Sequence, residues 1–331
     1  MKAFVIDRYG KTTTFQERDL SVPKLKDNEV LVQVHAASIN QLDAKIKSGA
    51  FKAMFHYDFP LVLGHDVAGV VTQVGGLVSR FKIGDEVYGR VSTPGSFAEY
   101  IAVPENDLGI KPKKLSMVDA ASLPLVALTS WQAFVEKAHL GKEQKVFIQA
   151  GSGGVGTIAI QLGKYLGAQV ATTTSKANEA MVRSLGADVI VDYRNEDFED
   201  KLKEYDVVLH SLDSQTLDKS FRILKSGGKI VSISGPPDVK FAEDVGLSWL
   251  MKKIIYLISR KVRKSAKMRS VDYSFLFMKA NGFQIDEISK LIESGALVPV
   301  VDRAYWISDI NKAFEYIESG RAKGKVVLQV V

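Results

Sequence analysis

The chain has 331 residues, of which 46% are hydrophobic and 25% are charged. These values are typical of a soluble globular protein, and the length suits about two domains. The sequence holds no cysteine, which excludes disulfides, thiolate metal sites, iron–sulfur clusters and a cysteine nucleophile together.

The net charge of +6 is concentrated in one segment. Residues 247–269 carry eight lysines and arginines and no acidic residue, so the rest of the chain is slightly acidic. Because the protein is not basic all over, we expect no nucleic-acid partner. The N-terminus runs directly into strand-like sequence, and no apolar stretch is as long as a membrane span, which together predict a cytoplasmic protein.

The first 124 residues predict a small, mostly β domain. Residues 30–36, 68–74 and 86–91 have the composition of strands, and glycine-containing turns separate them. Residues 120–138 then have helical spacing and lead into the next domain. We therefore predict a domain boundary after residue 124.

Residues 145–156, KVFIQAGSGGVG, predict a strand, a glycine turn and a helix. Three glycines at this spacing suit a dinucleotide diphosphate: one makes the turn, one admits the phosphates and one lets the helix pack on the strand. The helix N-terminus adds free N–H groups and a positive dipole end. The predicted diphosphate contacts are Gly151, Ser152, Gly153, Gly154, Val155 and Gly156.

Five predicted strands alternate with helices between residues 146 and 234, which indicates an α/β fold with a doubly wound parallel sheet. Such sheets bind ligands beyond the carboxyl ends of their strands. A final predicted strand at residues 325–331 is able to rejoin the N-terminal sheet. The predicted domains are then residues 1–124, 125–265 and 266–331, with the middle one inserted into the other.

The end of the second strand of this sheet predicts the nucleotide. An NAD site places Asp or Glu there to bind the ribose 2′-hydroxyl. Here the sequence is TTTSK at residues 172–176, with no carboxylate. Hydroxyl groups and an ammonium suit a 2′-phosphate, so Thr174, Ser175 and Lys176 predict NADPH, although a solvated loop charge is the alternative for Lys176.

The basic segment carries apolar residues at intervals of three and four, which predicts an amphipathic helix. A helix packed across two domains or at a dimer interface is the favoured interpretation. Contact with a membrane surface through residues 247–269 is the less favoured alternative. The apolar residues of the predicted stripe are Leu247, Leu250, Met251, Ile254, Ile255, Ile258 and Val262.

Taken from end to end, the chain resembles the zinc-independent quinone oxidoreductase and enone (alkenal) reductase branch of the medium-chain dehydrogenase/reductase superfamily. The resemblance rests on motifs in one order along the chain. They are SIN (38–40) with Asp43, SGAFK (48–52), LGHDVAGVV (63–71), GDEVY (84–88), GSFAEY (95–100), the glycine turn, SLGAD (184–188), GGKIVS (227–232) and GRAKGKVVL (320–328).

The resemblance implies a GroES-like catalytic domain in two pieces, a Rossmann domain between them, and a homodimer. In the zinc alcohol dehydrogenase branch, cysteines stand where Asn40 stands and near Leu125, and only the histidine at His65 is kept here, so we expect no metal. The resemblance also implies further cofactor contacts by Thr129, Tyr193, Leu212, Ser234, Gly235, Arg321 and Lys323.

The implied chemistry is hydride transfer from NADPH to a quinone or to the β-carbon of an α,β-unsaturated carbonyl compound. The protein then has to orient the acceptor and offer hydrogen-bond donors where negative charge develops. The candidates are Asn40, Lys52, Tyr57 and His65 as donors, with Asp43 anchoring a donor or the nicotinamide ribose.

Several alternatives stay open at this point. Asn40 and Asp43 also suit a helix cap, and His65 a structural histidine. His210, after the fourth strand of the nucleotide domain, stands where relatives usually carry an acid. For the whole protein, the alternatives are a metal-free alcohol dehydrogenase and a non-catalytic NADPH-binding protein.

Overall fold

The computed structural model describes residues 1–52 and 55–331. These residues form two compact units. The first consists of Met1–Leu128 together with Lys279–Val331, so both ends of the chain belong to it, and the second is Thr129–Met278.

The strands are numbered here in chain order. They are β1 (Lys2–Ile6), β2 (Gln16–Asp19), β3 (Glu29–Ile39), β4 (Leu61–Val62), β5 (Asp66–Val74), β6 (Glu86–Arg90), β7 (Tyr100–Pro104), β8 (Leu108–Ile110), β9 (Lys145–Ile148), β10 (Gln169–Thr174), β11 (Val189–Asp192), β12 (Tyr205–His210), β13 (Leu224–Ser232), β14 (Asp272–Phe275), β15 (Val301–Trp306) and β16 (Lys325–Gln329).

The α-helices are numbered in the same way. They are α1 (Gln41–Lys47), α2 (Met117–Ala121), α3 (Pro124–Trp131), α4 (Gly154–Tyr165), α5 (Glu179–Ser184), α6 (Phe198–Lys201), α7 (Ser214–Ser220), α8 (Val239–Asp244), α9 (Trp249–Ile258), α10 (Arg260–Met268), α11 (Gly282–Glu293) and α12 (Ile310–Glu318). A π-helical stretch, Gln132–Ala138, follows α3 directly.

The first unit is built around β3, which is long and apolar enough to be buried on both faces. It pairs antiparallel with β5 on one side, with β7 over its first half, and with β16 over its second half. In the last pairing Val326 lies opposite Ile39. The predicted return of the terminal strand to the N-terminal sheet is therefore confirmed.

The second unit contains a parallel sheet with the strand order β11-β10-β9-β12-β13-β14. The order reverses beside β9, and the crevice at such a reversal is where doubly wound sheets bind ligands. The predicted α/β doubly wound fold is confirmed. The sequence predicts only five strands, whereas β14 adds a sixth at the edge, where Tyr273 lies opposite Ile230.

The basic segment forms two helices where a single amphipathic helix is predicted. The break is at Ser259, which ends α9 and precedes α10. Of the predicted apolar stripe, Ile255 and Val262 are buried, but Leu250, Ile254 and Ile258 are exposed. The single chain therefore covers only part of this stripe, and the interpretation as a dimer interface stays a prediction. Within the residues described, no helix is long and apolar enough to cross a membrane.

Candidate active site

The glycine turn follows β9 and leaves no room for a side chain at two of its positions. An added Cβ at Gly151 would lie 2.1 Å from the Thr172 hydroxyl oxygen, and one at Gly156 would lie 2.3 Å from the Ala150 carbonyl oxygen. Real Cβ atoms do not approach other atoms so closely, so glycine at these two positions lets the turn fold against β10 and lets α4 start beside it.

The N-terminus of α4 is open to a ligand. Gly153 is the N-cap, and no side chain of the described chain caps this 12-residue helix. The N–H groups of Gly154, Val155 and Gly156 therefore have no intrahelical acceptor, and they lie at the positive end of the helix dipole. This arrangement fits an anion such as a diphosphate.

The end of β10 presents hydroxyl groups, as the sequence predicts. Thr173 Oγ1 accepts a hydrogen bond from the Ala150 N–H at 3.2 Å, which ties the turn to this strand. The Thr174 hydroxyl is buried and has no hydrogen-bond partner among the residues described. Lys176 is exposed, and its ammonium lies 2.7 Å from Glu179, which raises the pKa of Lys176. Glu179 is a neighbour that the sequence analysis does not identify.

The loops after β12 and β13 are joined by His210. Its Nε2 lies 2.9 Å from the Asp213 carbonyl oxygen, which only accepts, so the proton is on Nε2. Nδ1 then accepts from the Ser232 hydroxyl at 2.8 Å. Burial lowers the pKa of His210, which favours the neutral ring. With both nitrogens bonded, His210 has the geometry of a structural residue.

The remaining predicted cofactor residues fall in both units. In the second unit, the Ser234 hydroxyl donates to the Leu212 carbonyl oxygen at 2.6 Å, and the Gly235 N–H donates to Ser232 at 2.8 Å. Thr129 is buried there and Tyr193 is exposed. Arg321 and Lys323 belong to the first unit, where both are exposed before β16.

A buried polar cluster lies in the first unit at the ends of β3, β5, β6 and β16. Asn40 donates to Asp66 at 2.8 Å and accepts a hydrogen bond from the Lys325 ammonium, which is itself 3.3 Å from Asp66. Asp66 also accepts from the Ser38 hydroxyl at 2.6 Å and from the Leu125 N–H at 2.8 Å. Burial lowers the pKa of Lys325, while Asp66 and Asp43 oppose that shift.

Asp43 and His65 form a second pair in this cluster. Asp43 accepts from His65 Nδ1 at 2.6 Å, from the Asn40 N–H at 2.8 Å and from the Gly64 N–H at 3.3 Å. The carboxylate thereby fixes the proton of the ring on Nδ1. Nε2 of His65 makes no hydrogen bond within the described chain. The bond to Asn40 also caps α1, so the capping role considered for Asp43 is present.

Arg90 completes the cluster, and its guanidinium is incompletely paired. It lies at the end of β6, directly opposite Asp66 in the β5–β6 pairing. Its side chain is buried, and Nε has no hydrogen-bond partner among the described residues. Burial lowers the pKa of Arg90, and Asp66, Asp107 and Asp43 oppose the shift.

Tyr57 and Lys52, the other two predicted donors, differ in their surroundings. Tyr57 is half-buried, and burial raises its pKa while the nearby charge of Arg90 lowers it. Lys52 is exposed and makes no ion pair with the residues described. The cluster thus brings together Asn40, Asp43 and His65. Among the residues described, no hydrogen bond joins Tyr57 to it, and Lys52 lies at the surface.

Arg90 and Lys325 are not among the site residues predicted from the sequence. Each is a single charged residue at the end of an apolar strand, a pattern that more often marks the point where a strand reaches solvent. The only signal is their position beside other motif residues. Throughout the part of the chain that is described, no group of three His, Cys, Asp or Glu side chains is arranged to hold a metal ion.

Comparisons with known proteins agree with this architecture. Residues 26–113 match the alcohol dehydrogenase GroES-like domain, and residues 185–328 match the zinc-binding dehydrogenase domain. The NAD(P)H oxidoreductase RTN4IP1, mitochondrial, of Danio rerio is 35% identical over 100% of this chain and 92% of its own length.

Two further relatives carry more specific names. The NADPH-dependent alkenal/one oxidoreductase, chloroplastic, of Arabidopsis thaliana is 36% identical over 99% of this chain and 79% of its own length. The solved structure of the quinone oxidoreductase from Coxiella burnetii is 31% identical, with a TM-score of 0.85 over 100% of this chain and 99% of that one.

Proposed function

Because the chain belongs to the medium-chain dehydrogenase/reductase superfamily, in its quinone oxidoreductase and alkenal reductase branch, we propose that it reduces quinones or α,β-unsaturated carbonyl compounds with NADPH. Membership makes it an oxidoreductase. The observation that carries the proposal is the uncapped α4 N-terminus beside a strand end without a carboxylate. When bound, NADPH supplies the hydride.

The second unit holds the cofactor in this proposal. The N–H groups of Gly154, Val155 and Gly156 bind the diphosphate. Thr174, Ser175 and Lys176 receive the adenosine 2′-phosphate, in a place where an NAD site has a carboxylate. The phosphate competes with Glu179 for the Lys176 ammonium, whose pair with Glu179 is solvent-exposed and therefore weak.

The polar cluster of the first unit polarises the acceptor. Negative charge develops on the acceptor oxygen during hydride transfer, and a buried cation with unused donors stabilises such a charge strongly. We assign this role to Arg90, assisted by the Tyr57 hydroxyl. Asn40 has a positioning role here, because its amide hydrogens are directed at Asp66 and at the Ser38 carbonyl oxygen.

His65 is the proposed proton donor to the reduced acceptor. Asp43 holds Nδ1 in the protonated state, so a second proton taken up by the ring is on Nε2, the nitrogen without a protein partner. His65 thereby supplies the one proton that the reduced acceptor needs.

The proposal is tested by following NADPH absorbance at 340 nm with a panel of quinones, alkenones, alkenals and saturated aldehydes. We expect turnover with quinones or conjugated carbonyl compounds and none with saturated aldehydes. Turnover only with saturated aldehydes would favour the alcohol dehydrogenase alternative. NADPH binding without turnover of any acceptor would favour the non-catalytic alternative.

Two of the named relatives are mitochondrial and chloroplastic, and a cytoplasmic location for this chain stays a prediction.

A further inference from the structure

The outward side of α9 and α10 is an exposed face that the proposed reaction does not use. Its residues recur at helical intervals through both helices. We call it the docking face, and it consists of Leu250, Ile254, Leu257, Lys261, Lys264 and Met268, all of which are exposed.

The opposite side of the same helices shows that the docking face is continuous. Ile255, Ser259, Val262 and Ala266 are buried at the same helical intervals. Because one buried side runs through both helices despite the break at Ser259, the side opposite to it also runs through both. From Leu250 to Met268 the docking face is roughly 27 Å long at the usual helical rise.

The first half of the docking face is apolar and open to solvent. Leu250 is 54% exposed and Leu257 is 66% exposed, and Trp249 beside them is 69% exposed. Contiguous exposed apolar side chains of this kind mark an interaction surface rather than an ordinary protein exterior.

The second half is basic and nearly unpaired. Of the eight lysines and arginines in residues 247–269, only Lys261 forms an ion pair with the described residues, with Asp218 at 2.5 Å. Two others lie over aromatic rings: Lys253 over Trp249 at 4.8 Å and Arg263 over Tyr256 at 3.8 Å. The unpaired cations give this half a positive charge that is complementary to an anionic partner.

We propose that the docking face binds the surface of an anionic membrane. Lipid headgroups supply phosphates for the basic residues, and the adjacent acyl region accepts Leu250, Ile254 and Leu257. Tryptophan and tyrosine side chains favour the boundary between the two regions, where Trp249 and Tyr256 are placed. The helices lie along the membrane surface in this arrangement and do not cross it.

The charges argue against the two other occupants. A second copy of this chain meeting the face across a two-fold axis would place the same basic segment opposite itself, with no acidic residue between 247 and 269 on either side. A nucleic acid offers phosphates but no apolar layer for the exposed leucines and isoleucine. An anionic membrane surface offers an apolar layer to the first half of the docking face and phosphates to the second half.

The test is flotation of the full-length protein with vesicles. One set is phosphatidylcholine alone, and the other is an equimolar mixture of phosphatidylcholine and phosphatidylglycerol. We expect binding to the anionic vesicles to be about tenfold stronger or more at low salt, and to weaken at about 0.5 M NaCl. Tryptophan fluorescence is expected to shift to the blue on binding, and Trp249→Phe is expected to remove most of the shift.

Matched variants distinguish binding through the docking face from non-specific adsorption of the protein to vesicles. The triple variant Leu250→Ser, Ile254→Ser, Leu257→Ser is expected to bind the vesicles at least about tenfold more weakly than the wild type. The double variant Lys264→Glu, Lys267→Glu is expected to lose the preference for anionic vesicles. The control triple is Leu77→Ser, Ile83→Ser, Tyr165→Ser, whose residues are also exposed, each by more than half, but lie outside the segment. It is expected to bind as the wild type does.

Three results would overturn the proposal. They are no flotation with anionic vesicles at low salt, equal flotation of the wild type and the apolar triple variant, and self-association in sedimentation velocity that the same triple variant abolishes. The last would assign the face to a second copy of the chain. NADPH turnover of the variants is measured alongside, so that failure of membrane binding is distinguished from failure of the proposed reaction.

Discussion

At the scale of single residues, the first unit buries charged side chains of both signs, and most of their hydrogen-bonding groups have partners within the cluster. Asp66 is bonded to Ser38, Asn40, Lys325 and the Leu125 N–H. A guanidinium buried next to this saturated carboxylate keeps unused donors. Buried polar groups without partners are rare because each costs about 1–3 kcal/mol. In the proposed function, the unused donors of Arg90 are the ones that bind the acceptor oxygen.

Replacement of Arg90 by leucine tests that role. Because the oxyanion loses its main donor, we expect kcat/KM for the acceptor to fall by about 10²-fold, with the Kd for NADPH unchanged. Arg90→Lys is the control, since it keeps the charge and is expected to recover part of the activity. Loss of cofactor affinity by Arg90→Leu, with kcat preserved, would contradict the assignment. Thermal unfolding of each variant checks that the fold is retained.

Lys176 tests the choice of nucleotide. Removing its ammonium leaves Glu179 near the place proposed for the 2′-phosphate, so Lys176→Ala should lose preference for NADPH over NADH by about tenfold or more. The control is Arg183→Ala, because Arg183 also pairs with Glu179, at 2.9 Å, but lies one helical turn away. An unchanged ratio of kcat/KM for the two nucleotides in Lys176→Ala would refute the assignment.

His210 predicts a pH dependence of stability. Its pKa in the folded protein is lowered by burial below the ordinary 6.5, so the unfolded chain takes up the proton first as the pH falls. The contribution of the neutral His210 ring to the free energy of unfolding is therefore complete above about pH 6.5 and is lost as the pH falls below that value. Urea unfolding of the wild type should show a steeper loss between pH 7 and about pH 5 than His210→Gln. Equal slopes in that range would contradict this account, whereas above about pH 7 the two slopes should agree.

At the scale of elements, the glycine turn and α4 were predictable because local backbone demands dictate them. Helix N-termini and tight turns leave signatures in glycine spacing, as at Gly156, where the crowding comes from Ala150 and Gly151 close by in the sequence. β14 was not predictable in this way, since Asp272-Tyr273-Ser274-Phe275 is short and mixed, and it is a strand only because β13 offers an open edge. The break at Ser259 and the charges at Arg90 and Lys325 likewise depend on partners distant in sequence.

Substitution of a glycine by alanine tests whether the glycine turn binds the cofactor. In Gly156→Ala the new Cβ would meet the Ala150 carbonyl oxygen at 2.3 Å and the Gly151 backbone at 2.7 Å, so α4 has to move away from the turn. We expect the Kd for NADPH in isothermal titration calorimetry to rise about tenfold or more. Gly141→Ala is the matched control, because its Cβ would meet nothing closer than 3.8 Å. Wild-type affinity in Gly156→Ala would show that the turn does not hold the diphosphate.

At the scale of the whole molecule, the order of the motifs along the chain predicts the fold better than any single motif does. A terminal strand that returns to β3 makes one unit from the two ends of the chain, and the parallel sheet is formed by the residues between them. That topology could be predicted from the sequence, because glycine turns and strand periods change where the second unit begins. The homodimer stays a prediction, and sedimentation velocity of the wild type measures it.

The central claim is that hydride passes to the β-carbon of a conjugated acceptor or to a quinone. Its most direct test is reduction of an alkenone with NADPH deuterated at nicotinamide C4, each face in turn, followed by NMR of the product. We predict a saturated ketone with deuterium on the β-carbon from one of the two faces. An allylic alcohol with deuterium on the former carbonyl carbon, or no oxidation of NADPH by any alkenone or quinone, would contradict it.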